Sequence, residues 1–313
     1  MPEQPPEIIV SEFMDEAALR WLSARRPVLA DPALVEDRAR LLSLGAGVRG
    51  LILRNRTQVD TELLSAFPDL VAVGRLGVGL DNIDTEACRA RGVAVFPAVG
   101  GNTVSVAEYV ITAALTLRRG AFAASAEVLA GGWPRQRLMG AEISGAVMGL
   151  VGFGAIARAV DARARALGME VIAHDPFLPI DDPAWAEALR APSLDALLEK
   201  ADVISLHIPL TDDTSGMIGA EALARMGAGA ILINTARGGI VDEAALAAAL
   251  AEGRIAGAAL DVFAAEPLPP DSPLAAAPNL IATPHIAGVT QESNMRISRM
   301  TAEAVDDALA AAQ

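Results

Sequence analysis

Residues 145–176, GAVMGLVGFGAIARAVDARARALGMEVIAHDP, constrain the fold more than any other stretch of the chain. An apolar run ends at Gly152 and Gly154, an alanine- and arginine-rich run follows, and a second apolar run ends in Asp175. This is a strand, a glycine turn, a helix and a second strand, with G-x-G-x-x-A spacing closed by Ala157. Gly152 permits the tight turn, and Gly154 lets the backbone approach a ligand. The free N–H groups at the helix start, around Ala155 and Ile156, suit a pyrophosphate. Asp175 is placed to accept hydrogen bonds from ribose hydroxyls, and its charge would repel a 2′-phosphate. The expected cofactor is therefore NAD. NADP stays open, because Arg158 could compensate.

The same rhythm runs through the whole chain. "EIIV", "GLILR", "LVAVG" and "VAVFPAV" alternate with amphipathic runs before residue 98, and a long helical stretch is expected from about Ser105 to Leu129. After the glycine turn come "DVISLHIPL", "GAILINTAR", "GAALDVF" and "NLIATPH". Short, continuous apolar strands between helices predict parallel sheets covered on both faces. Two α/β units follow, roughly residues 1–98 and 99–284, with a last helix that could pack back on the first.

Composition bounds the function. With 52% hydrophobic and 20% charged residues the chain can build a sizeable core, and 4% aromatics favours close-packed helices over a sandwich. A net charge of −14 argues against nucleic acid, although local arginines can still hold a small anion. The single cysteine, Cys88, excludes an intrachain disulfide and a thiolate metal cluster, so no metal is expected and a cytoplasmic setting is. The start, MPEQPPEIIV, has no signal-peptide pattern, and the longest apolar stretch is too short to span a bilayer.

Open parallel sheets bind ligands at the carboxyl ends of their strands. Arg237 follows "ILINTA", Glu266 follows "AALDVFAA", and His285 follows "LIATP". Arg237 suits a carboxylate, held by two hydrogen bonds. His285 suits proton transfer, and Glu266 could bond its other ring nitrogen and favour the imidazolium form. Each alone also fits a plainer role: a helix-end or surface arginine, a solvated turn carboxylate, a satisfied core histidine. Three such residues at equivalent strand ends beside a dinucleotide turn favour a hydride-transfer site. His174 and His207 read as structural or cofactor-proximal.

"VGFGAIAR…HDP", "SLHIPLTDDTSGMIG", "INTARGGIVDEAAL", "GAALDVFAAEP" and "TPHIAG" resemble the D-isomer-specific 2-hydroxyacid dehydrogenase family over nearly the whole chain. The resemblance implies a flavodoxin-like substrate domain, residues 1–98 and 285–313, with a Rossmann dinucleotide-binding domain, 99–284, inserted into it. It makes Arg237, Glu266 and His285 the catalytic set. It places His207, Thr235, Ala236, Asp261 and Gly288 at the cofactor, with Asp261 near the nicotinamide carboxamide. It also implies a homodimer acting on a small 2-hydroxy or 2-keto acid, with Arg135 a candidate to reach the neighbouring subunit. In the family, the loop holding Gly77, Val78 and Gly79 faces the substrate carboxylate.

Arg54 and Arg75 stand at the ends of neighbouring strands beside that loop and suit a second negative group on the substrate; pairing with Asp81 or Asp84 is the alternative. Asn102 is expected near the same site. "GRLGVGLDNID" is most like the phosphoglycerate and sulfolactate dehydrogenase types, and "SEFMDEAAL" and "RNRTQV" lean toward the latter. No serine-binding regulatory domain is expected after the last helix. Two other readings remain: a glyoxylate or hydroxypyruvate reductase, and an NAD-sensing corepressor-like binding protein.

Overall fold

The structure, a computed structural model, describes residues 5–186 and 188–312. The chain forms two compact units. One comprises residues 1–102 and 289–313, the other residues 103–288.

The first unit holds β1 (Ile8–Val10), β2 (Val28–Ala30), β3 (Gly50–Leu53), β4 (Ala72–Arg75) and β5 (Ala94–Pro97). They pair in parallel in the order β2-β1-β3-β4-β5. Alternate residues feed two cores: Ile9, Leu51 and Val73 on one face, Ile8, Ile52 and Ala72 on the other. The helix Gln291–Ala311 lies against β3 and β4, where two glycines make room for it. A Cβ on Gly74 would stand 2.5 Å from Thr301 Cγ2, and one on Gly50 would stand 3.0 Å from Val305 Cγ1.

The second unit holds β6 (Val147–Val151), β7 (Glu170–His174), β8 (Leu189–Arg190), β9 (Val203–Leu206), β10 (Ile231–Asn234), β11 (Gly257–Leu260) and β12 (Leu280–Ala282). Its seven strands run parallel in the order β12-β11-β10-β9-β6-β7-β8. Every residue of β9, β10 and β11 is buried, as continuous apolar strands covered on both faces require. Leu232 and Ala258 enter one core, while Ile231, Ile233 and Ala259 enter the other. Helices Thr103–Arg119 and Ala155–Ala166 cover that second core, packed through Ala107, Ala114, Ala157 and Ala164. The first of these helices is shorter than its sequence suggests. It stops at Gly120, whose φ of 62° breaks the helix, and a separate short helix covers Ser125–Leu129.

Helix capping accounts for part of the acid excess. Asp15, Asp37, Asp60, Asp84 and Asp242 each accept backbone N–H groups at a helix start, next to the positive end of the dipole. Among the described residues no helix is long and apolar enough to cross a membrane.

Candidate active site

The chain leaves β6 to one side of its sheet and resumes with β9 on the other, so the carboxyl end of β6 is a topological switch point. Gly152 follows it with a φ of 86°, and a Cβ there would stand 2.6 Å from the His207 carbonyl oxygen. Only glycine satisfies both conditions. Gly154 caps the helix Ala155–Ala166 without a side-chain hydrogen bond, and a Cβ on it would meet no atom within 4 Å. The helix start with Ala155 and Ile156 therefore keeps open space for an anion.

Asp175 reinforces this turn. Its Oδ2 accepts the Phe153 N–H at 2.9 Å, and its Oδ1 accepts those of Phe177 and Leu178 at 3.0 and 3.2 Å. Phe153 stacks on Trp185 with ring centres 5.1 Å apart. His207 hydrogen-bonds through Nε2 to Ser205 Oγ at 3.0 Å, and burial lowers its pKa from 6.5 to about 4, so the ring is neutral. The Nδ1 of His174 lies 3.3 Å from the Ala191 carbonyl oxygen.

Three strand ends carry the charged groups. After β12, His285 Nδ1 lies 2.8 Å from Glu266 Oε2, and Glu266 Oε1 accepts the Phe263 N–H at 3.1 Å. The carboxylate thus fixes one ring nitrogen of His285 and leaves Nε2 for other partners. Both side chains are accessible, at 46% for His285 and 35% for Glu266. His285 has a φ of 53°, a left-handed conformation that non-glycine residues keep only where neighbours hold it.

Asp261, 1% exposed, is the residue that holds this loop. Its carboxylate accepts the N–H groups of Ile286 and Ala287, both at 2.8 Å, and its carbonyl oxygen accepts that of His285 at 2.8 Å. Gly288 follows directly and is half-buried.

Arg237 is half-buried on the loop after β10 and donates from Nη1 to the Ala236 carbonyl oxygen at 2.7 Å. Asn234 ties this loop down, donating to the Arg237 carbonyl oxygen and accepting the Ala236 N–H. Gly238 then presses against the loop after β11, where its Cβ would fall 1.8 Å from the Phe263 carbonyl oxygen. Sequence reasoning overlooked Gly238, because only the spatial neighbour reveals its constraint. Thr235 Oγ1 is buried with no hydrogen-bond partner among the described residues, an orphan of the kind a bound polar ligand satisfies. With the open turn at Gly154 and the acceptor at Asp175, the second unit fits NAD.

In the first unit Arg75 pairs with Leu53 across β3 and β4, so Arg54, one residue on, and Arg75 share a sheet edge. Arg54 donates from Nη2 to Asn294 Oδ1, and its guanidinium carbon lies 5.6 Å from the Phe13 ring centre. Its Nε is buried with no hydrogen-bond partner among the described residues. Burial lowers the Arg54 pKa, opposed by the charge of Glu12. Glu12 Oε1 accepts the N–H groups of Arg54, Arg56 and Thr57 and so holds the loop. Arg75 folds back and donates to the Leu76 carbonyl oxygen at 2.9 Å, occupying the space where a Gly77 Cβ would stand. Val78 is 38% exposed on the same loop, which continues through Gly79. Asn102 Oδ1 is buried with no partner among the described residues. Arg135 is exposed.

Strand order, open glycine turn and terminal aspartate define a dinucleotide-binding α/β protein. Known proteins narrow the class. The family model for "D-isomer specific 2-hydroxyacid dehydrogenase, NAD binding domain" matches residues 111–287. An (S)-sulfolactate dehydrogenase from Chromohalobacter salexigens is 62% identical over 303 residues, covering 97% of this chain and 98% of that protein. A D-3-phosphoglycerate dehydrogenase from Archaeoglobus fulgidus is 38% identical over 297 residues, covering 95% of this chain but only 56% of that protein. The crystal structure of TT0316 protein from Thermus thermophilus matches with a TM-score of 0.87 and 35% identity, over 97% of both chains. The chain belongs to the D-isomer specific 2-hydroxyacid dehydrogenase family. It is an oxidoreductase whose second unit is the NAD-binding domain.

Proposed function

We propose that the protein catalyses reversible hydride transfer at C2 of a 2-hydroxy acid carrying a second anionic group, with sulfolactate and sulfopyruvate the leading pair. The observation that carries the second anion is Arg54, a largely desolvated cation held by Asn294 and the Glu12 loop, its Nε without a hydrogen-bond partner among the described residues. Such a cation on a chain of net charge −14 suits a phosphate or sulfonate group. The relative of 62% identity, named as an (S)-sulfolactate dehydrogenase, supports the sulfonate. Its descriptor agrees with D-type geometry, because sulfur outranks oxygen in the priority rules.

Bound NAD would accept the hydride on oxidation and return it on reduction. In reduction, protonated His285 gives a proton from Nε2 to the carbonyl oxygen, while Glu266 holds Nδ1 and so the ring. Arg237 grips the substrate carboxylate and balances the charge that develops on the neighbouring oxygen. Arg54 and Arg75 recognise the second anion, with the N–H groups of Val78 and Gly79 and the Asn102 side chain beside them. Phe122, Leu129, Trp133 and Met139, each at least 70% exposed, support a homodimer joined through that segment. The lone, buried Cys88 suits a reducing, cytoplasmic setting.

The test is NADH consumption with sulfopyruvate, phosphohydroxypyruvate, hydroxypyruvate, glyoxylate and phenylpyruvate, with NADPH in parallel, for the wild type and Arg54→Gln. Strong preference for a doubly anionic acid, lost in Arg54→Gln, is expected. Equal turnover of glyoxylate would make the protein a glyoxylate or hydroxypyruvate reductase. NADH binding without turnover of any acid would make it a sensor.

A further inference from the structure

We propose that Tyr109 is a positioning residue for His285, acting through Thr283 and Asp261; this rests on the reading of His285 as the acid/base. Tyr109 is the only tyrosine of the chain. It is half-buried on the helix Thr103–Arg119, far in sequence from the three strand ends. Its hydroxyl lies 2.6 Å from Thr283 Oγ1. Thr283 in turn donates its hydroxyl proton to Asp261 Oδ1 at 2.6 Å. A threonine has one such proton, so the Tyr109 hydroxyl must be the donor to Thr283. The direction of the chain is thereby fixed: phenol to threonine to carboxylate. Burial raises the Tyr109 pKa, the Thr283 hydrogen bond opposes this, and the charge of Asp261 raises it further, so the phenol keeps its proton.

The end of this chain is the residue on which the histidine loop hangs. Consecutive N–H groups of His285, Ile286 and Ala287 all terminate on Asp261, the first on its carbonyl oxygen and the others on its carboxylate. The carboxylate can serve both N–H groups only in one rotamer, and the Thr283 hydroxyl is the remaining donor that selects it. Thr283 is itself free to rotate its proton elsewhere unless Tyr109 fills its acceptor side. His285 sits in a left-handed conformation that this network must hold against relaxation. Loss of the phenol hydroxyl therefore loosens the imidazole through Thr283 and Asp261.

The experiment compares Tyr109→Phe, Thr283→Val, Thr283→Ser and the Tyr109→Phe/Thr283→Val double variant in keto-acid reduction with NADH, with Tm and NADH Kd measured on each. Tyr109→Phe keeps the ring and is expected to lower kcat by about 5- to 10-fold with NADH Kd unchanged. Thr283→Val is expected to lose at least as much, and Thr283→Ser to recover most of that loss. In the Thr283→Val background the second change adds nothing, because the chain is already cut. Wild-type kcat in Tyr109→Phe or in Thr283→Val overturns the proposal, as do losses that multiply in the double variant. Should Tyr109→Phe fold poorly by Tm, the Val and Ser variants at position 283 decide alone. His285→Asn separates the two readings: activity surviving there removes His285 as the acid/base, whereas an inactive His285→Asn beside a fully active Tyr109→Phe removes only the positioning role.

Discussion

Gly238→Ala adds a single methyl group and removes no polar atom, yet it is expected to cripple the enzyme. The new Cβ would stand 1.8 Å from the Phe263 carbonyl oxygen, 2.1 Å from its carbon and 2.7 Å from Ala264 N. All three atoms are backbone, so no rotamer change relieves the overlap. Real Cβ atoms essentially never approach within 3.0 Å of such atoms, and the difference, 3.0 − 1.8, requires the two loops to separate by at least 1.2 Å. One of these loops carries Arg237. The other donates the Phe263 N–H that orients Glu266, which in turn holds His285. A misplacement of about 1 Å between catalytic groups costs about a hundredfold in rate, or roughly 2.7 kcal/mol in the barrier. The assay is steady-state reduction of a saturating keto acid by NADH, with NADH affinity measured separately. We expect kcat to fall by about two orders of magnitude, with a smaller rise in NADH Kd, because the Gly152–Gly154 turn is left alone while the loop carrying Thr235 moves. Wild-type kcat would show that the loops can separate without moving the charged groups, and would sink the reasoning.

Asp175→Asn keeps an acceptor oxygen for the turn but removes the charge that, in the proposed cofactor site, would repel a 2′-phosphate; the ratio of KM for NADPH to KM for NADH is expected to fall by about tenfold. An unchanged ratio would mean that Asp175 does not discriminate. Stability should also depend on His207. Its folded pKa of about 4 lies below the unfolded 6.5, so the unfolded chain binds the proton first as pH falls. The contribution is complete above pH 6.5 and is lost on the way down to 4, worth roughly 3 kcal/mol over that range. Urea melts of wild type and His207→Asn at pH 7 and pH 4.5 check this: the variant should lose less on acidification, and equal losses would refute the assignment.

What was legible in the sequence was local or strongly periodic. The turn from Gly152 to Asp175 could be read because strand, glycines, helix and acid lie within one βαβ unit. Strands β9 to β11 could be read because full burial leaves them no polar residue to blur the pattern, apart from Ser205 and Asn234. The contact between Glu266 and His285 was legible from topology, since both follow adjacent strands of one sheet. The short edge strands β2 and β8 were not read: they have three and two residues, none of them buried, and so carry no hydrophobic period. The helix break at Gly120 was missed because the apolar pattern continues beyond it. The Tyr109–Thr283 hydrogen bond joins residues 174 apart, and no pattern in one sequence announces such a pair.

The last helix has a consequence for how the chain comes into being. As residues leave the ribosome in order, β3 and β4 emerge with the notches at Gly50 and Gly74 still bare. Ile297, Val305 and Leu309, which complete that core, follow only after the whole of the other unit. The NAD-binding unit, residues 103–288, is by then fully synthesised. The unit holding β3 and β4 therefore cannot complete its core until the inserted unit has been made, and its unfilled apolar face is the surface a nascent chain must keep from its neighbours.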